Sequence, residues 1–236
     1  MDKPDYGIDA PGVVRNLLLI GAAVIAISLS PRFAGTPREL SRFFWMGAVF
    51  VVEGLLLILY AKVGKFRHRD RMLRKVEWRG DEHFLDVGTG RGLLLIGAAR
   101  QATKGRGIGI DIFSKKDLSS NSLANTLRNV ELEGVKDLVE IHEVDARYMD
   151  FLDSSFDVVL SNLCIHNIPK AADRDKACRE IVRVTKRGGS AVISDFRNTG
   201  AYARVFRDGG MNVTRSGPYL FDTFPPLRII TARKPA

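Results

Sequence analysis

Residues 84–92 read FLDVGTGRG, and this stretch decides the fold of the chain. An apolar strand that ends in an acidic residue runs into three alternating glycines, Gly88, Gly90 and Gly92. Because glycine has no side chain, a nucleotide-like ligand can lie directly against such a turn. The N–H groups at the start of the following helix, residues 93–100, would point toward that ligand. The stretch therefore predicts a strand, turn and helix that bind a nucleotide-like cofactor.

The spacing of these glycines differs from the G-x-G-x-x-G fingerprint that seats a pyrophosphate on a helix N-terminus. Asp86 stands just before the turn, and its carboxylate would repel a diphosphate. It suits a cofactor with cationic groups, and S-adenosylmethionine carries both a sulfonium and an ammonium group. In these residues the chain resembles the class I, Rossmann-like SAM-dependent methyltransferases, whose first motif has this form.

The resemblance continues through four motifs in the order of the family. A strand at 107–112 ends in an acid where the family binds the ribose hydroxyls, and a strand at 139–144 precedes a turn similar to the adenine-binding turn. A fourth strand, 156–160, leads into the loop that faces the methyl group. The resemblance implies that the cofactor contacts Asp86, Gly88, Thr89, Gly90, Gly92, Asp111, Ile112, Asp145, Ala146, Ser161 and Asn162.

The alternation of strands and helices after residue 80 independently predicts an α/β fold with a doubly wound sheet. The final strands, at 211–216 and 227–233, match the antiparallel hairpin of the family, so we predict seven strands in a mostly parallel sheet. Further helices are predicted at 118–133, 173–185 and 201–208, and a fifth strand at 191–195. The alternative is a structural Rossmann-like domain that does not bind SAM.

Two apolar segments precede this domain, at residues 13–30 and 43–61. At about 1.5 Å of rise per residue, the second nearly spans a hydrocarbon core of roughly 30 Å, whereas the first is marginal. Pro31 follows the first segment and no small-x-small cleavage site is clear, which disfavours a signal peptide. We predict an uncleaved transmembrane hairpin. The alternatives are two soluble helices packed on the domain, or a first helix that lies in the membrane interface.

The net charge of +9 comes from 36 Lys and Arg against 27 Asp and Glu, and eight basic residues fall within 62–79. Basic residues beside a span mark the cytoplasmic side and attract anionic headgroups by roughly 1 kcal/mol each. We therefore predict a multi-pass membrane protein with a basic juxtamembrane linker helix at 62–80 and a catalytic domain, 81–236, on the cytoplasmic side. Three arginines in the loop 31–42 oppose this orientation. Nucleic acid is not an expected partner, because the domain itself carries only a small positive charge.

The second apolar segment contains one acidic residue, Glu53, at a depth where charge is costly. It could contact a second subunit, contact a polar part of the substrate, or be tolerated in the protonated form. Gly47 and Gly54 lie seven residues apart on one helix face and could let the other helix approach closely. The pattern also allows a homo-oligomer that forms through these helices.

The acceptor side of the site is less defined than the cofactor side. Methyl transfer from a sulfonium is an in-line displacement, so the enzyme gains most by positioning the acceptor, and a base is needed only if the acceptor must lose a proton. His166, Asn167 and Asp195 follow strand ends and are candidates for this region. His166 could act as a general base, or it could position the loop or the cofactor through hydrogen bonds.

The first twelve residues are rich in proline and glycine, which predicts turns and not a helix. We hypothesise that residues 1–12 return to the domain as a lid, with Tyr6 facing the pocket. A frayed terminus is the alternative.

The cysteines and histidines give no sign of metal or nucleophilic chemistry. The four histidines and two cysteines show no metal-ligand spacing, so no metal site is predicted. Cys164 lies in the loop after the fourth strand, where some cytosine methyltransferases place a nucleophile, but its surroundings do not match those families. A small buried thiol is the preferred interpretation.

These observations together predict a membrane-anchored SAM-dependent methyltransferase with a lipophilic acceptor: a lipid amine, a quinone or isoprenoid, or a small hydrophobic thiol or phenol. An anchor concentrates an enzyme near acceptors that dissolve in the bilayer. The alternatives are a tethered methyltransferase of a protein or an RNA, and a non-catalytic SAM-binding membrane scaffold.

Overall fold

The computed structural model of the chain describes residues 2–30 and 36–236. Residues 31–35 lie outside the described residues. They belong to the loop 31–42, whose charges bear on the predicted orientation. Seven strands form one sheet: β1 (His83–Val87), β2 (Arg106–Asp111), β3 (Val139–Glu143), β4 (Phe156–Asn162), β5 (Thr185–Asp195), β6 (Asn212–Tyr219) and β7 (Leu227–Arg233).

The strand order is β3-β2-β1-β4-β5-β7-β6, and β7 runs antiparallel to both of its neighbours. The five strands on the other side of β7 pair in parallel. The predicted seven-stranded, mostly parallel sheet with a final antiparallel hairpin is therefore confirmed. Because the order reverses beside β1, the carboxyl ends of β1 and β4 border the crevice where α/β folds bind ligands.

Seven helices accompany the sheet in the described part of the chain: α1 (Pro11–Ser28), α2 (Pro37–Leu59), α3 (Lys65–Leu73), α4 (Leu93–Ala99), α5 (Leu123–Leu132), α6 (Ala171–Val184) and α7 (Thr199–Asp208). Side chains alternate along each central strand, so the sheet supplies two apolar cores. In β1, Leu85 and Val87 pack with α6 and α7, whereas Phe84 packs with α3, α4 and α5. Both faces of the sheet are thus covered, as its apolar strands require.

Several elements depart from their predicted bounds. The second apolar helix begins at Pro37 and not at 43, and the linker predicted as a helix at 62–80 is helical only as far as Leu73.

Two other departures have local reasons. The helix predicted at 118–133 begins only at Leu123, because the Ser122 side chain caps it by accepting the N–H of Asn125. The residues before it instead pair with the N-terminal segment, where Asp9 and Leu118 form an antiparallel bridge. The fifth strand begins at Thr185 and not at 191, because β5 contains an irregularity that accommodates its glycine pair.

Helices α1 and α2 form an antiparallel pair with very close backbones. A Cβ atom on Gly47 would lie 2.7 Å from the carbonyl oxygen of Gly21, and one on Gly54 would lie 2.8 Å from the Leu18 side chain. The two glycines on α2 therefore face α1, as their spacing predicted. Glu53 is half-buried, and no hydrogen bond or ion pair to it occurs within residues 2–30 and 36–236.

The second apolar helix does not stop at the domain. Helix α2 passes into a π-helical segment, Tyr60–Gly64, which continues directly into α3. Gly64 lies against the loop between β6 and β7, and a Cβ atom there would lie 2.2 Å from the backbone oxygen of Asp222. A π-helical segment changes the face that a helix presents, and such segments are frequent at functional sites.

This contact generates a prediction for Gly64→Val. The added side chain cannot fit against the backbone of Asp222, so it should lower the free energy of unfolding by about 1–3 kcal/mol, the usual cost of overpacking. The matched control is Gly12→Val, because a Cβ atom on Gly12 meets nothing within 4 Å. Thermal unfolding in detergent measures both, and equal melting temperatures for the two variants would contradict the close contact.

Candidate active site

The turn after β1 has the backbone that its glycines allow. Gly88, Gly90 and Gly92 have φ of 76°, 53° and 83°, in the left-handed region that other residues rarely adopt. Gly88 also admits the Cys164 side chain, since a Cβ atom on this glycine would lie 2.4 Å from Cys164 Sγ. The left-handed backbone and the close contact with Cys164 therefore both favour glycine in this turn.

Two carboxylates flank this turn, and the first is buried while the second is half-buried. Asp86 is 1% exposed and accepts a hydrogen bond from Thr89 Oγ1 at 2.9 Å. Asp111, at the end of β2, accepts the N–H of Gly90 at 2.8 Å and that of Phe113 at 2.5 Å. Burial raises the pKa of Asp86 to about 7 and also raises the pKa of Asp111. A cationic ligand would offset the free-energy cost of removing these two carboxylates from water.

A cavity of about 240 Å³ opens beside the turn. It brings together most of the residues that the sequence singled out: Tyr6, Asp86, Gly88, Thr89, Gly90, Asp111, Ile112, Asp145, Ala146, Asn162 and Asn167. A glycine cradle, two acids and a mixed polar and apolar wall fit S-adenosylmethionine, whose two cationic groups and nucleoside need such partners. These residues would hold it, and it would supply an electrophilic methyl group.

The Asp145 carboxylate lines the cavity in a fixed orientation. The guanidinium of Arg147 holds it through contacts of 2.6 to 3.0 Å. The pKa of Asp145 is lowered, and the side-chain hydrogen bond from Arg147 is the largest cause. Ala146, between them, is 8% exposed and lines the same wall, so the turn after β3 presents a charged and an apolar group together.

Four of the predicted site residues lie outside the cavity. Gly92 begins α4, where its missing side chain leaves room for Ile96 and Thr126. Ser161 is buried and donates its hydroxyl to the backbone oxygen of Val87 at 2.8 Å, which ties β4 to β1. Gly92 and Ser161 therefore shape the walls from behind.

His166 and Asp195 are the other two, and they contact each other. His166 Nδ1 lies 2.9 Å from Asp195 Oδ1, and the His166 ring packs on Phe196 with 4.7 Å between ring centroids. Asp195 also accepts the backbone N–H groups of His166 at 3.2 Å and of Phe196 at 2.8 Å. The pair braces the loop after β4 against the end of β5, and neither side chain lines the cavity wall.

The Cys164 thiol packs against the turn and is a poor nucleophile. Burial raises its pKa well above the usual value, so it stays protonated at neutral pH. Cys178, on α6, is fully buried in the core, and burial raises the pKa of its thiol to about 12.

Part of the cavity wall comes from residues that sequence reasoning missed. Tyr60 and Lys65, from the long N-terminal helix, and Asp9, from the N-terminal segment, line the same cavity as the glycine turn. Lys65 is 4% exposed, and its ammonium donates to the backbone oxygens of Tyr6 at 2.7 Å and Gly7 at 2.6 Å. In the sequence Lys65 is one of many basic residues, so nothing distinguishes it there.

The N-terminal segment 2–10 lies across one side of the cavity. The Tyr6 hydroxyl donates to Glu133 Oε1 at 2.6 Å, and its ring edge contacts Phe66. The segment also forms an ion pair between Asp5 and Arg91 at 2.9 Å. These contacts hold it on the domain without helical structure, as its composition predicted.

Residues 85–193 match a family profile described as a methyltransferase domain. With the seven-stranded sheet, the glycine turn and the paired acids, this match supports a class I SAM-dependent methyltransferase, with S-adenosylmethionine as its cofactor.

Curated relatives carry related activities. A phosphatidylethanolamine N-methyltransferase from Cereibacter sphaeroides is 31% identical over 140 residues, which cover 58% of this chain and 62% of that protein. A demethylmenaquinone methyltransferase from Symbiobacterium thermophilum is 33% identical over 123 residues, covering 52% of this chain and 45% of that protein. A sterol 4-C-methyltransferase from Caenorhabditis elegans is 30% identical over 128 residues, covering 54% and 35%. The chain thus spans 35 to 62% of the length of these relatives.

Solved structures share the fold at low sequence identity. The [4+2]-cyclase SpnF aligns with a TM-score of 0.59 at 20% identity, over 72% of this chain and 82% of that chain. An O-methyltransferase family protein from Burkholderia thailandensis aligns with a TM-score of 0.61 at 14% identity, over 95% of this chain and 72% of that chain. At these identities the likeness concerns the fold alone.

The buried Asp86 carboxylate generates a prediction for Asp86→Asn. Its pKa is higher in the folded domain than its ordinary 3.8, so its contribution to stability is present below about pH 4 and is lost as the pH rises to about 7. Without cofactor at pH 8, the neutral Asn should therefore raise the melting temperature by several degrees. In contrast, SAM affinity should fall about 10- to 100-fold, because a charge-assisted hydrogen bond is lost.

Differential scanning fluorimetry and calorimetric SAM titration measure these two effects. For the wild type, SAM affinity should weaken as the pH falls below 7, since protonated Asp86 cannot pair with a cation. The control is Asp81→Asn, which removes an exposed carboxylate. An Asp86→Asn variant that binds SAM as tightly as the wild type would contradict the role of this acid.

Proposed function

We propose that the chain is a membrane-anchored SAM-dependent methyltransferase that transfers a methyl group, by in-line displacement, to a lipophilic acceptor. One observation carries the proposal. Tyr60, at the end of the second apolar helix, and Lys65, one turn further, line the same cavity as the glycine turn. The helix therefore runs without a break from an apolar surface to the wall of the cofactor cavity.

The apolar surface of the hairpin supports membrane insertion. Two helices, Pro11–Ser28 and Pro37–Leu73, are long and apolar enough to span a bilayer by length and composition. Large apolar side chains are exposed along both, among them Leu19 at 63%, Trp45 at 65% and Leu59 at 57%. Exposed apolar surface costs about 25 cal/mol per Å² in water, a cost that lipid removes.

The basic residues after the hairpin divide into two groups. Lys65, Arg69 and Arg71 serve the interior: Lys65 holds the N-terminal segment, Arg69 lines the cavity, and Arg71 pairs with Asp222. The exposed ones are Lys62, Arg67, Arg74, Lys75 and Arg79. This exposed group supports contact with anionic headgroups and a cytoplasmic location of the domain.

The residues in the cavity suggest how transfer would be promoted. Asp86 and Asp111 would bind the cationic and hydroxyl groups of the cofactor, while the N-terminal segment would exclude water from one side. His166 and Asp195 would act indirectly, by holding the loop that follows Asn162. Rate enhancement would then come from positioning and from the exclusion of water.

The proposed lid generates a prediction for Lys65→Met. Loss of the ammonium leaves the carbonyls of Tyr6 and Gly7 without their donor, so segment 2–10 should detach more often. Amide exchange at Ala10, whose N–H donates to the Asp117 oxygen at 2.8 Å, should become faster, and SAM should dissociate at least about threefold faster. Lys75→Met, which removes an exposed charge, is the control. Unchanged SAM dissociation, or unchanged activity after deletion of residues 2–10, would refute the lid.

The acceptor class is tested with purified protein, methyl-labelled SAM and a total membrane lipid extract. We expect label in an organic-soluble product, and its loss with Asp86→Ala. Label only in added membrane protein or RNA would favour a tethered methyltransferase of a macromolecule. SAM binding without any transfer would favour the non-catalytic scaffold. Either result would overturn the lipophilic acceptor.

A further inference from the structure

Four buried side-chain oxygen atoms in the cavity have no hydrogen-bond partner within the part of the chain that the structure describes. One is Asn121 Oδ1, whose amide nitrogen donates to Asp111, and the other three come from three different elements. These three are Asp9 Oδ2, Tyr60 Oη and Asn162 Oδ1. All three side chains line the one cavity, although they come from the N-terminal segment, the π-helical segment and the end of β4. An unsatisfied buried polar group costs about 1–3 kcal/mol, so three in one place indicate that a ligand supplies their partner.

The three oxygens lie together at one end of the cavity. The Tyr60 hydroxyl is beside the Asn162 side chain and within the field of the Asp9 carboxylate. Lys65 does not satisfy the cluster, because its N–H groups go to two backbone oxygens and its Nζ lies 3.7 Å from Asp9 Oδ2. Tyr60 and Asn162 carry donors of their own, but none of the three oxygens receives a hydrogen bond in the described part of the chain.

The cluster adjoins the cofactor turn. Strands β1 and β4 are parallel neighbours, and Asp86 pairs with Leu160. Beyond this pair, β4 ends at Asn162 and β1 leads into Gly88, the first glycine of the turn, and both residues line the cavity. A group held by the three oxygens would therefore lie next to the cofactor.

We propose that these three oxygens bind the N–H groups of the acceptor, so that the methylated atom is the nitrogen of a primary or secondary amine on a lipophilic molecule. This inference rests on the proposed function and names its acceptor class. An ammonium group brings two or three N–H donors and a charge that complements Asp9. A thiol or a phenol brings one hydrogen, and its reactive anion would be repelled by the carboxylate. A carbon acceptor brings no such donor.

The same residues can perform the transfer step. The ammonium gives one proton to the Asp9 carboxylate, which frees the nitrogen lone pair, while Tyr60 and Asn162 hold the remaining N–H groups. The lone pair forms the N–C bond as the S–C bond breaks, and the bonding electrons remain on sulfur. The positive charge thus moves from sulfur to nitrogen, giving an N-methylammonium and S-adenosylhomocysteine. The Asp9 side chain is 31% exposed, which offers its proton a route to solvent.

Burial raises the pKa of Asp9, so this carboxyl can accept a proton from an ammonium more readily than an exposed one. The nearby Lys65 ammonium opposes that effect. Asp9 therefore acts at the acceptor nitrogen, and the cofactor site is left to Asp86 and Asp111.

The test uses the full chain in phosphatidylcholine vesicles with methyl-labelled SAM and four lipophilic probes: dodecylamine, dodecanethiol, para-dodecylphenol and phosphatidylethanolamine. We expect label in the two amines and little in the thiol or the phenol. Dodecyltrimethylammonium has the charge but no N–H. As a competitor of dodecylamine methylation, it should have an inhibition constant at least about tenfold higher than that of N-methyldodecylamine.

Variants separate the acceptor site from the cofactor site. Asp9→Asn and, independently, Tyr60→Phe should lower kcat/KM for dodecylamine at least about tenfold while SAM affinity stays within about twofold of the wild type. Asp2→Asn, an exposed carboxylate in the same segment, is the control. SAM affinity also reports whether each variant is folded, and Tyr60→Phe removes a single oxygen if Asp9→Asn proves unstable.

Each outcome decides the inference. Preferential methylation of the thiol or the phenol would overturn the amine assignment and leave the proposed function intact. Amine methylation that neither variant lowers would overturn the role of this cluster. No labelled product from any lipophilic acceptor, including a membrane lipid extract, would overturn the proposed function together with this inference.

Discussion

A buried ammonium group, Lys65 Nζ, is the interaction on which the rest of the cavity depends. Removing a charge from water is costly unless it is paired and hydrogen-bonded, and burial lowers the pKa of Lys65. Two backbone oxygens of the N-terminal segment and the Asp9 carboxylate compensate this charge. The same contact fixes the segment, orients Asp9 and anchors the long helix to the domain. One side chain thus connects the anchor, the lid and the acceptor end of the cavity.

A second constraint on the cavity is that acidic side chains lie close together around the glycine turn. Asp86 and Asp111 are held by N–H and O–H donors that come from the turn itself and from the residues just after β2, so the protein alone organises the cavity for positive charge. Asp9 adds a third acid, in the acceptor cluster. A cationic cofactor beside Asp86 and Asp111 and a cationic acceptor beside Asp9 would each meet its own carboxylate, which offsets the repulsion between the two adjacent like charges until the proton leaves.

The sequence was sufficient for the features that depend on local patterns. The turn at 88–92, the acids after β1 and β2, and the final hairpin follow from residue types at short spacing, and the sheet that results is the one expected. The close contact of Gly47 with α1 was likewise readable from helical spacing. Helix bounds were less predictable, because a cap such as Ser122 competes with the apolar pattern on which the prediction of 118–133 relied.

Long-range contacts could not be read in this way. Tyr60 and Lys65 occupy positions typical of a span end and a basic linker, and the structure places both in the wall of the cavity. His166 has the neighbours of a catalytic base in sequence, yet its ring lies against the Asp195 carboxylate and packs on Phe196. The surroundings of these side chains are determined by residues that lie far away in the chain. The periodicity of the sequence carries no information about such contacts.

The most direct measurement is a crystal structure of the full chain, grown from a lipidic phase with S-adenosylhomocysteine. The account predicts that the cofactor lies on the glycine turn with its sulfur facing the space between Tyr60 and Asn162, and that the α1–α2 hairpin lies within the lipid layer. A sulfur atom that faces an opening away from Tyr60, or a hairpin buried against a second chain in the aqueous layer, would contradict it.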